Sequence, residues 1–378
     1  MSTPRLGVLD FHPIQYHSPL YQLLAARGNV ELDVLYLNDL GLRSAVDPGF
    51  GVPLSWDIDL LSGYRHQFLA GPGAARAIHL SGWLRRQEIV VIHGHSNPWM
   101  LAATALCRAS GVPYLLRGDA SPRGPSAGLR AIARHAVARG VVSGSAGGLA
   151  VGERNAQFYT RYRAPRIVFA PHSVDNERFA ACPVVRRADL LGRWALDPAR
   201  PVVLFCGKLR AVKRPLDLVA AVSQLSEPVT TLFVGDGELA GAVRAALPPG
   251  TGAVTGFVNQ RELPAYYHAA DILVLPSQSE PWGLVVNEAM TAGVLPVVSD
   301  RVGCGPDLVR GLGEIYPCGD IAALAAALRR ALSRVGDPGQ ADRLRQRVAE
   351  YGIEVTALGF ERAVHAARPP KGHRAACK

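Results

Sequence analysis

Short apolar runs alternate along the chain with segments whose apolar positions recur every three or four residues, the signature of a mixed α/β protein. Leu6–Asp10 reads as a first strand. A helix from Pro19 through Leu24 follows, with Ser18 placed as N-cap and Pro19 at the first helical position. Glu31–Tyr36, Glu88–His93 and Val112–Arg117 are further strand candidates. Between about Ala180 and Arg200 the pattern breaks into Cys-Pro, paired arginines and Asp-Pro-Ala-Arg-Pro, which reads as a linker.

A second alternation then begins: strand Pro201–Gly207, helix Leu216–Leu225, strand Thr230–Gly235, helix Leu239–Ala246, strand Ala253–Phe257 and helix Glu262–Ala269. Strand Asp271–Ser277, a helix beginning after Gly283 and stopped by Gly293, and strand Leu295–Ser299 continue it. This organisation predicts an N-terminal Rossmann-like domain (1–180), a linker (181–200), a second Rossmann-like domain (201–352), and a C-terminal helix Ile353–Ala367 with a disordered basic tail (353–378). Two open parallel sheets imply two lobes facing across a central cleft, with ligands beyond the carboxyl ends of the strands.

Composition narrows the class. The 378 residues, 48% hydrophobic and 19% charged, describe a globular chain large enough for two cores. No apolar run approaches the roughly 20 residues of a membrane helix. The N-terminus lacks the apolar core and cleavage site of a signal peptide. The six cysteines include no Cys-x-x-Cys pair, so a reducing cytoplasm is expected, with neither disulfides nor a cysteine metal site. A formal charge of +10 calls for an anionic partner. No basic run interleaved with aromatics marks a nucleic-acid module, so nucleic acid is not expected. A phosphorylated substrate and peripheral contact with a membrane surface both fit, and the sequence leaves them open.

The sharpest chemical signal is a pair of glutamates separated by seven residues, Glu280-Pro-Trp-Gly-Leu-Val-Val-Asn-Glu288. Glu280 falls in the loop between a strand and a helix, and Glu288 about a turn and a half into the helix. Eight positions is just over two helical turns, so both carboxylates can face one side of a cleft. The amides around Gly283 and Leu284 form a helix N-terminus that suits a phosphate. Two hydroxyl-binding carboxylates beside an anion seat match the needs of a sugar nucleotide. On spacing alone, two solvated surface glutamates is the simpler account.

Lysine usage adds to the picture. The chain holds four lysines among many arginines, and two of them, Lys208 and Lys213, fall in Gly207-Lys-Leu-Arg-Ala-Val-Lys213 after a strand. A local return to lysine suggests that a compact ammonium is wanted there.

These residues together resemble the retaining glycosyltransferases of family four, whose Glu-x7-Glu signature runs Glu-x-Trp/Phe-Gly-Leu…Glu-Ala-Met-x-x-Gly-x-Pro-Val. The resemblance covers essentially residues 5 to 365 and is strongest from Pro201 to Leu324. It implies the two-lobed GT-B fold and a nucleotide-diphosphate donor, by default a UDP-sugar carrying a hexosyl group. It implies retention: the acceptor hydroxyl attacks on the face the diphosphate leaves, and a donor phosphate oxygen takes its proton. Carried onto matching positions, Glu280 binds the donor sugar and Glu288 the ribose, while Lys208 and Lys213 hold the diphosphate. Lys208 stands where arginine is usual, which keeps the charge and loses the bidentate fork. Trp282, Gly283, Leu284, Gly207, Gly235 in Val234-Gly-Asp-Gly-Glu238, and Phe257 in Val254-Thr-Gly-Phe257 complete the donor side.

In the first half, His93-Gly-His95 ends a strand. The resemblance makes His95 the residue that reaches the donor sugar, with His93 as reserve. The Gly-Gly usual after the first strand is replaced by Phe11-His-Pro-Ile-Gln-Tyr-His-Ser18, so Gln15, Tyr16 and His17 are candidates to face the acceptor, together with His93. Asp57-Ile-Asp59 lacks the flanking strand of an Asp-x-Asp metal motif, so neither a divalent metal nor another cofactor is expected. The acceptor expected is a small-molecule natural product or a lipid-linked saccharide. Two alternatives are a sugar-nucleotide epimerase of the same architecture and a non-catalytic sugar-nucleotide-binding protein.

Overall fold

The structure is a computed structural model that describes residues 3–42, 45–46, 53–122, 128–181 and 185–368. The basic tail after Arg368, with Lys371, Lys378 and Cys377, lies outside the described residues, as does Cys182. The chain divides into two units. One is Met1–Leu42, Asp59–His172 and Ile353–Lys378, and the other is Arg43–Ile58 and Ser173–Gly352.

The strands in chain order are β1 (Arg5–Asp10), β2 (Glu31–Tyr36), β3 (Ala45–Val46), β4 (Pro53–Leu54), β5 (Arg65–Phe68), β6 (Ile89–His93), β7 (Tyr114–Gly118), β8 (Gly147–Ala150) and β9 (Ile167–Phe169). β3 and β4 form a small antiparallel pair in the second unit. The other seven build one sheet in the order β5-β2-β1-β6-β7-β8-β9. Every pairing in it is parallel. Ile89-Val-Val-Ile92 is buried throughout, as expected of a parallel strand covered on both faces. One face packs Leu9, Val90 and Ile92 against Trp83 and Met100. The other packs Leu6, Val8 and Val91 against Leu20, Tyr21 and Leu24.

The second unit repeats the design with β10 (Val202–Cys206), β11 (Thr230–Val234), β12 (Gly252–Val254), β13 (Ile272–Leu275), β14 (Leu295–Ser299) and β15 (Glu314–Tyr316). Their order is β12-β11-β10-β13-β14-β15, again all parallel. With every strand pointing the same way, the loops that follow them gather at one edge of each sheet.

Packing moves two expected boundaries. The division falls at His172 and Ser173, ahead of the 181–200 linker. Part of that linker is a helix, Arg187–Gly192, which buries Leu190 and Leu191. Arg187 also makes a two-pronged ion pair with Asp271 at the foot of β13, at 3.0 and 2.9 Å. The helix Ile353–Ala367 belongs to the first unit, because Ala357, Phe360, Ala363 and Val364 bury among Leu20, Tyr21 and Leu24. Arg27 donates to Glu361 Oε1 at 2.8 Å, and Asn29 does so at 3.1 Å. Burial alone would raise the Glu361 carboxyl, but these bonds hold it below its ordinary range. A local correction concerns the first helix, Ser18–Arg27: His17 is its N-cap, and no side chain caps it. Among the described residues no helix is long and apolar enough to cross a membrane.

Candidate functional site

In the second unit, the loops after β10, β11 and β12 are locked to one another by backbone bonds. Leu209 donates to the Asp236 carbonyl at 2.8 Å, Leu239 to the Leu209 carbonyl at 2.9 Å, and Gly235 to the Gly256 carbonyl at 2.9 Å. This interlock demands glycine: Gly235 has φ +141, and a Cβ there would lie 2.0 Å from the Gly207 carbonyl oxygen. The expected donor-side residues Gly207 and Gly235 are thus in contact, with Phe257 on the adjoining segment and Lys208 half-buried one residue after Gly207.

The lysine loop is anchored at both ends. The Ala211 amide donates to Glu238 Oε1 at 3.0 Å, and Gln278 beyond β13 donates to the Val212 carbonyl at 2.8 Å. Lys213 closes a short turn, and the next residue, Arg214, adopts left-handed φ +52 and ψ 46 immediately before Pro215. A non-glycine residue in that region, before a proline, is strained. The Asp217 carboxylate holds it there, accepting from Arg214 Nε at 2.6 Å. The result is a bond from the Lys213 ammonium to the Glu280 carboxylate, between side chains 24% and 14% exposed.

Glu280 is held from the other side by residues 302–304. It bridges to Val302, its carbonyl accepts from Gly303 at 2.9 Å, and the Trp282 carbonyl accepts from Cys304 at 2.9 Å. Gly303 lies so close that a Cβ would sit 1.8 Å from the Pro281 carbonyl oxygen. Gly283, at φ +102, is the N-cap of the helix Leu284–Thr291.

The two glutamates differ in setting. Glu288 is fully buried and accepts a 2.5 Å bond from the Tyr267 hydroxyl. Burial and the Glu288 charge push the neighbouring Cys206 thiol up to about 12 and keep the Tyr267 hydroxyl protonated. Trp282 is buried too, its indole N–H donating to Asn287 Oδ1 at 2.9 Å. Glu280 and Lys213 are therefore the partly open ionic pair of this edge, while Glu288 and Trp282 sit inside the helix packing. Asp57, of the Asp-Ile-Asp stretch, accepts from the Arg261 amide at 3.3 Å, and Asp59 from the Leu61 and Ser62 amides at 3.0 and 3.1 Å.

The first unit gathers a second polar group at the carboxyl ends of β1, β6 and β7. Asp10 ends β1. Its Oδ2 takes His17 Nδ1 and the Tyr21 hydroxyl, both at 2.7 Å, and its Oδ1 accepts from the Phe11 amide at 2.8 Å. His93 ends β6 with Nε2 3.2 Å from the Tyr21 oxygen and its ring 4.6 Å from that of His17. His172 stacks on His17 at 6.4 Å, with Arg117 Nη1 at 3.5 Å. Burial alone would raise the Asp10 carboxyl, but His17, His93 and Tyr21 pull it far below the carboxylate range. Burial holds His93 down to about 3 and His172 well below the imidazole range, both neutral.

Of the four acceptor-side candidates, His17 and His93 meet here. Gln15 is buried and Tyr16 half-buried. His95 instead stacks on Phe158 at 5.6 Å. Asp10, Tyr21, Arg117 and His172 escaped the sequence reading. A lone carboxylate closing an apolar strand was the available signal for Asp10, whereas Tyr21 and Arg117 sit among core residues and give none.

Residues 188–355 match the family model "Glycosyl transferases group 1". The 2-deoxystreptamine glucosyltransferase of Streptomyces kanamyceticus is 31% identical over 276 residues, covering 66% of this chain and 70% of that protein. The chain belongs to the group 1 glycosyl transferases. The sulfoquinovosyl transferase of Arabidopsis thaliana is 32% identical over 36% of this group 1 chain, but the match spans 27% of that protein. A Mycobacterium tuberculosis glycogen synthase is 35% identical over 42% of the chain and 41% of its own length. The chain thus matches less than half the length of these two relatives. Among solved structures, Anabaena Alr3699/HepE in complex with UDP superposes with TM-score 0.73 at 13% identity, over 96% of this chain and 100% of that one. The sucrose-phosphate synthase of Thermosynechococcus elongatus gives 0.68 at 20% identity, over 96% and 98%. The likeness is one of fold, and the two parallel-sheet units fit GT-B.

Proposed function

We propose that this group 1 chain is a retaining glycosyltransferase of family four, moving a hexosyl group from a nucleotide-diphosphate sugar to an acceptor hydroxyl without a metal. The Lys213–Glu280 pair at the end of β13 carries the reading. A nucleotide sugar brings both a diphosphate for the lysine and hydroxyls for the carboxylate, and entering between them it would replace a contact the protein makes with itself. Lys208 adds a second cation, and the amides at Gly283 and Leu284 supply donors for a departing diphosphate. Glu288 would meet the ribose after a shift of the Tyr267 hydroxyl. UDP is the favoured nucleotide, supported by the HepE complexes with UDP and UDP-glucose. The epimerase alternative has no support in these similarities, and the non-catalytic alternative is separated by assay. Titration calorimetry against UDP, GDP and dTDP should show one of them binding, with the same affinity in EDTA. Absence of binding by all three would sink the assignment.

For the acceptor, a small polyol is supported by the 2-deoxystreptamine enzyme. A lipid-linked saccharide is favoured by the helix Leu129–Ser143. Leu129, Ile132 and Val137 are 84%, 65% and 46% exposed there, spaced along one side. Arg130, Arg134 and Arg139 are exposed beside them. That pattern suits an anionic lipid surface. The chain should co-sediment with phosphatidylglycerol vesicles and lose most of that binding in Ile132→Glu. Equal recovery of both proteins in the supernatant would count against membrane contact.

A further inference from the structure

Resting on the transferase reading, we propose that Trp56 is a donor-recognition residue whose indole, held beside Phe257, stacks on the nucleobase of the nucleotide sugar. Trp56 lies in the chain between β2 and β5 of the first sheet, yet its segment, Arg43–Ile58, belongs to the second unit. It stands two residues after β4, and a side chain beyond β12 fastens it there. The Asn259 carboxamide brackets the tryptophan: Nδ2 donates to the Ser55 carbonyl at 2.8 Å, and Oδ1 accepts from the Asp57 amide at 3.4 Å. A carboxamide offers a donor and an acceptor side by side, as a peptide group does, so one side chain fixes the backbone both before and after the indole. Asp57 closes this clip, its carboxylate accepting from the Arg261 amide at 3.3 Å. The indole is thereby directed to Phe257, with ring centroids 6.3 Å apart and planes inclined by 60°.

Phe257 stands three residues after β12, at the carboxyl edge of the second sheet, where open parallel sheets bind ligands. The preceding Gly256 accepts from the Gly235 amide, and Gly235 touches Gly207 beside Lys208. In the strand order β12-β11-β10-β13, the lysine loop is two strands from Phe257 and the Glu280 loop three. At about 4.8 Å per strand these separations are about 10 and 14 Å. A diphosphate seated between Lys213 and Glu280 has a ribose and a base still to place along that edge. Toward Phe257 it meets two rings that are both half-buried and so keep part of their surface in solvent. In the other direction Tyr316, which ends β15, is buried, as is Trp282 in the Glu280 loop.

Every nucleobase has a π-face, and stacking it on an aromatic side chain is worth about 5- to 150-fold in affinity. Packing of the clip against Phe257 would be the plainer account of the same contact. The two make different demands on residue 56: packing requires apolar volume, whereas stacking requires a flat ring. Trp56 adds no group to the transfer step itself and leaves the diphosphate to the lysines.

The test is titration calorimetry on the full chain with whichever of UDP, GDP and dTDP the wild type binds, alongside thermal unfolding of each variant. Trp56→Ala should weaken binding about 5- to 150-fold. Trp56→Phe should keep most of the affinity. Trp56→Leu, which keeps apolar volume without a π-face, should lose it as the alanine variant does while melting close to the wild type. Asn259→Ala should weaken binding in the same direction, and it should cost nothing further in a Trp56→Ala background, because it acts through the tryptophan. Wild-type affinity in Trp56→Ala, or a leucine variant that binds as well as the phenylalanine one, overturns the stacking role and leaves the donor reading intact. A wild type that binds none of the three nucleotides overturns the donor reading and Trp56 with it.

Discussion

Lys213→Ala is expected to lower transfer about 10²–10³-fold, the scale seen when one preorganised charge at a departing anion is removed. Folding should survive. The ammonium and Glu280 are 24% and 14% exposed, and a partly solvated pair of this kind contributes at most about 1 kcal/mol. Glu280→Ala should fail to a similar degree, but through loss of contacts to the sugar rather than to the diphosphate. Binding of the free nucleotide by calorimetry separates the two. Lys213→Ala should weaken it, because in the proposed function the lysine meets the diphosphate, and Glu280→Ala should leave it nearly unchanged or tighten it by freeing the ammonium. Near-normal turnover in either variant, with an unchanged melting temperature, would remove the pair from the mechanism.

Gly303→Ala is expected to destabilise the second unit by about 2–4 kcal/mol and to impair transfer as well. The added methyl would meet the Pro281 carbonyl oxygen at 1.8 Å, and backbone cannot yield as a flexible side chain can. Relief requires opening the bonds from Gly303 to Glu280 and from Cys304 to Trp282, the contacts that hold the Glu280 loop. Gly241→Ala is the control. It lies in the helix Ala240–Ala246 with nothing within 4 Å of its Cβ, so the same substitution should stabilise by about 0.5–1 kcal/mol. Thermal unfolding of both variants decides the point, and a Gly303→Ala protein as stable as the wild type would show that the loop has room the structure denies it.

Much of the architecture was legible because parallel strands buried on both faces leave continuous apolar runs. Glu31–Tyr36 and Leu295–Ser299 fall where their runs predict. Strand ends drifted by one or two residues where a polar or proline residue flanks the run, as at Pro113 before β7. Among the helices that the run pattern does not assign are Leu129–Ser143, Ile321–Leu332 and Gln340–Ala349. The first leaves much of its apolar stripe in solvent, and the last is mostly charged around a thin buried line of Leu344 and Val348. The 181–200 segment shows the opposite error: its prolines and arginines read as a linker, yet two leucines and the Arg187–Asp271 pair tie part of it into the second unit.

By itself the sequence determined two successive α/β alternations and the placing of Glu280 in a loop and Glu288 in a helix, since local periodicity and turn chemistry are properties of neighbours along the chain. Only the tertiary structure decided which of those residues meet. Lys213 reaches Glu280 from another strand's loop, Glu288 is sealed beneath Tyr267, and Asp10 holds His17. The same holds for the C-terminal helix, whose amphipathic stripe is plain in sequence but whose partner, the first unit's sheet, is not. Such pairings depend on the order in which parallel strands are laid side by side, and that order brings together loops far apart in the chain.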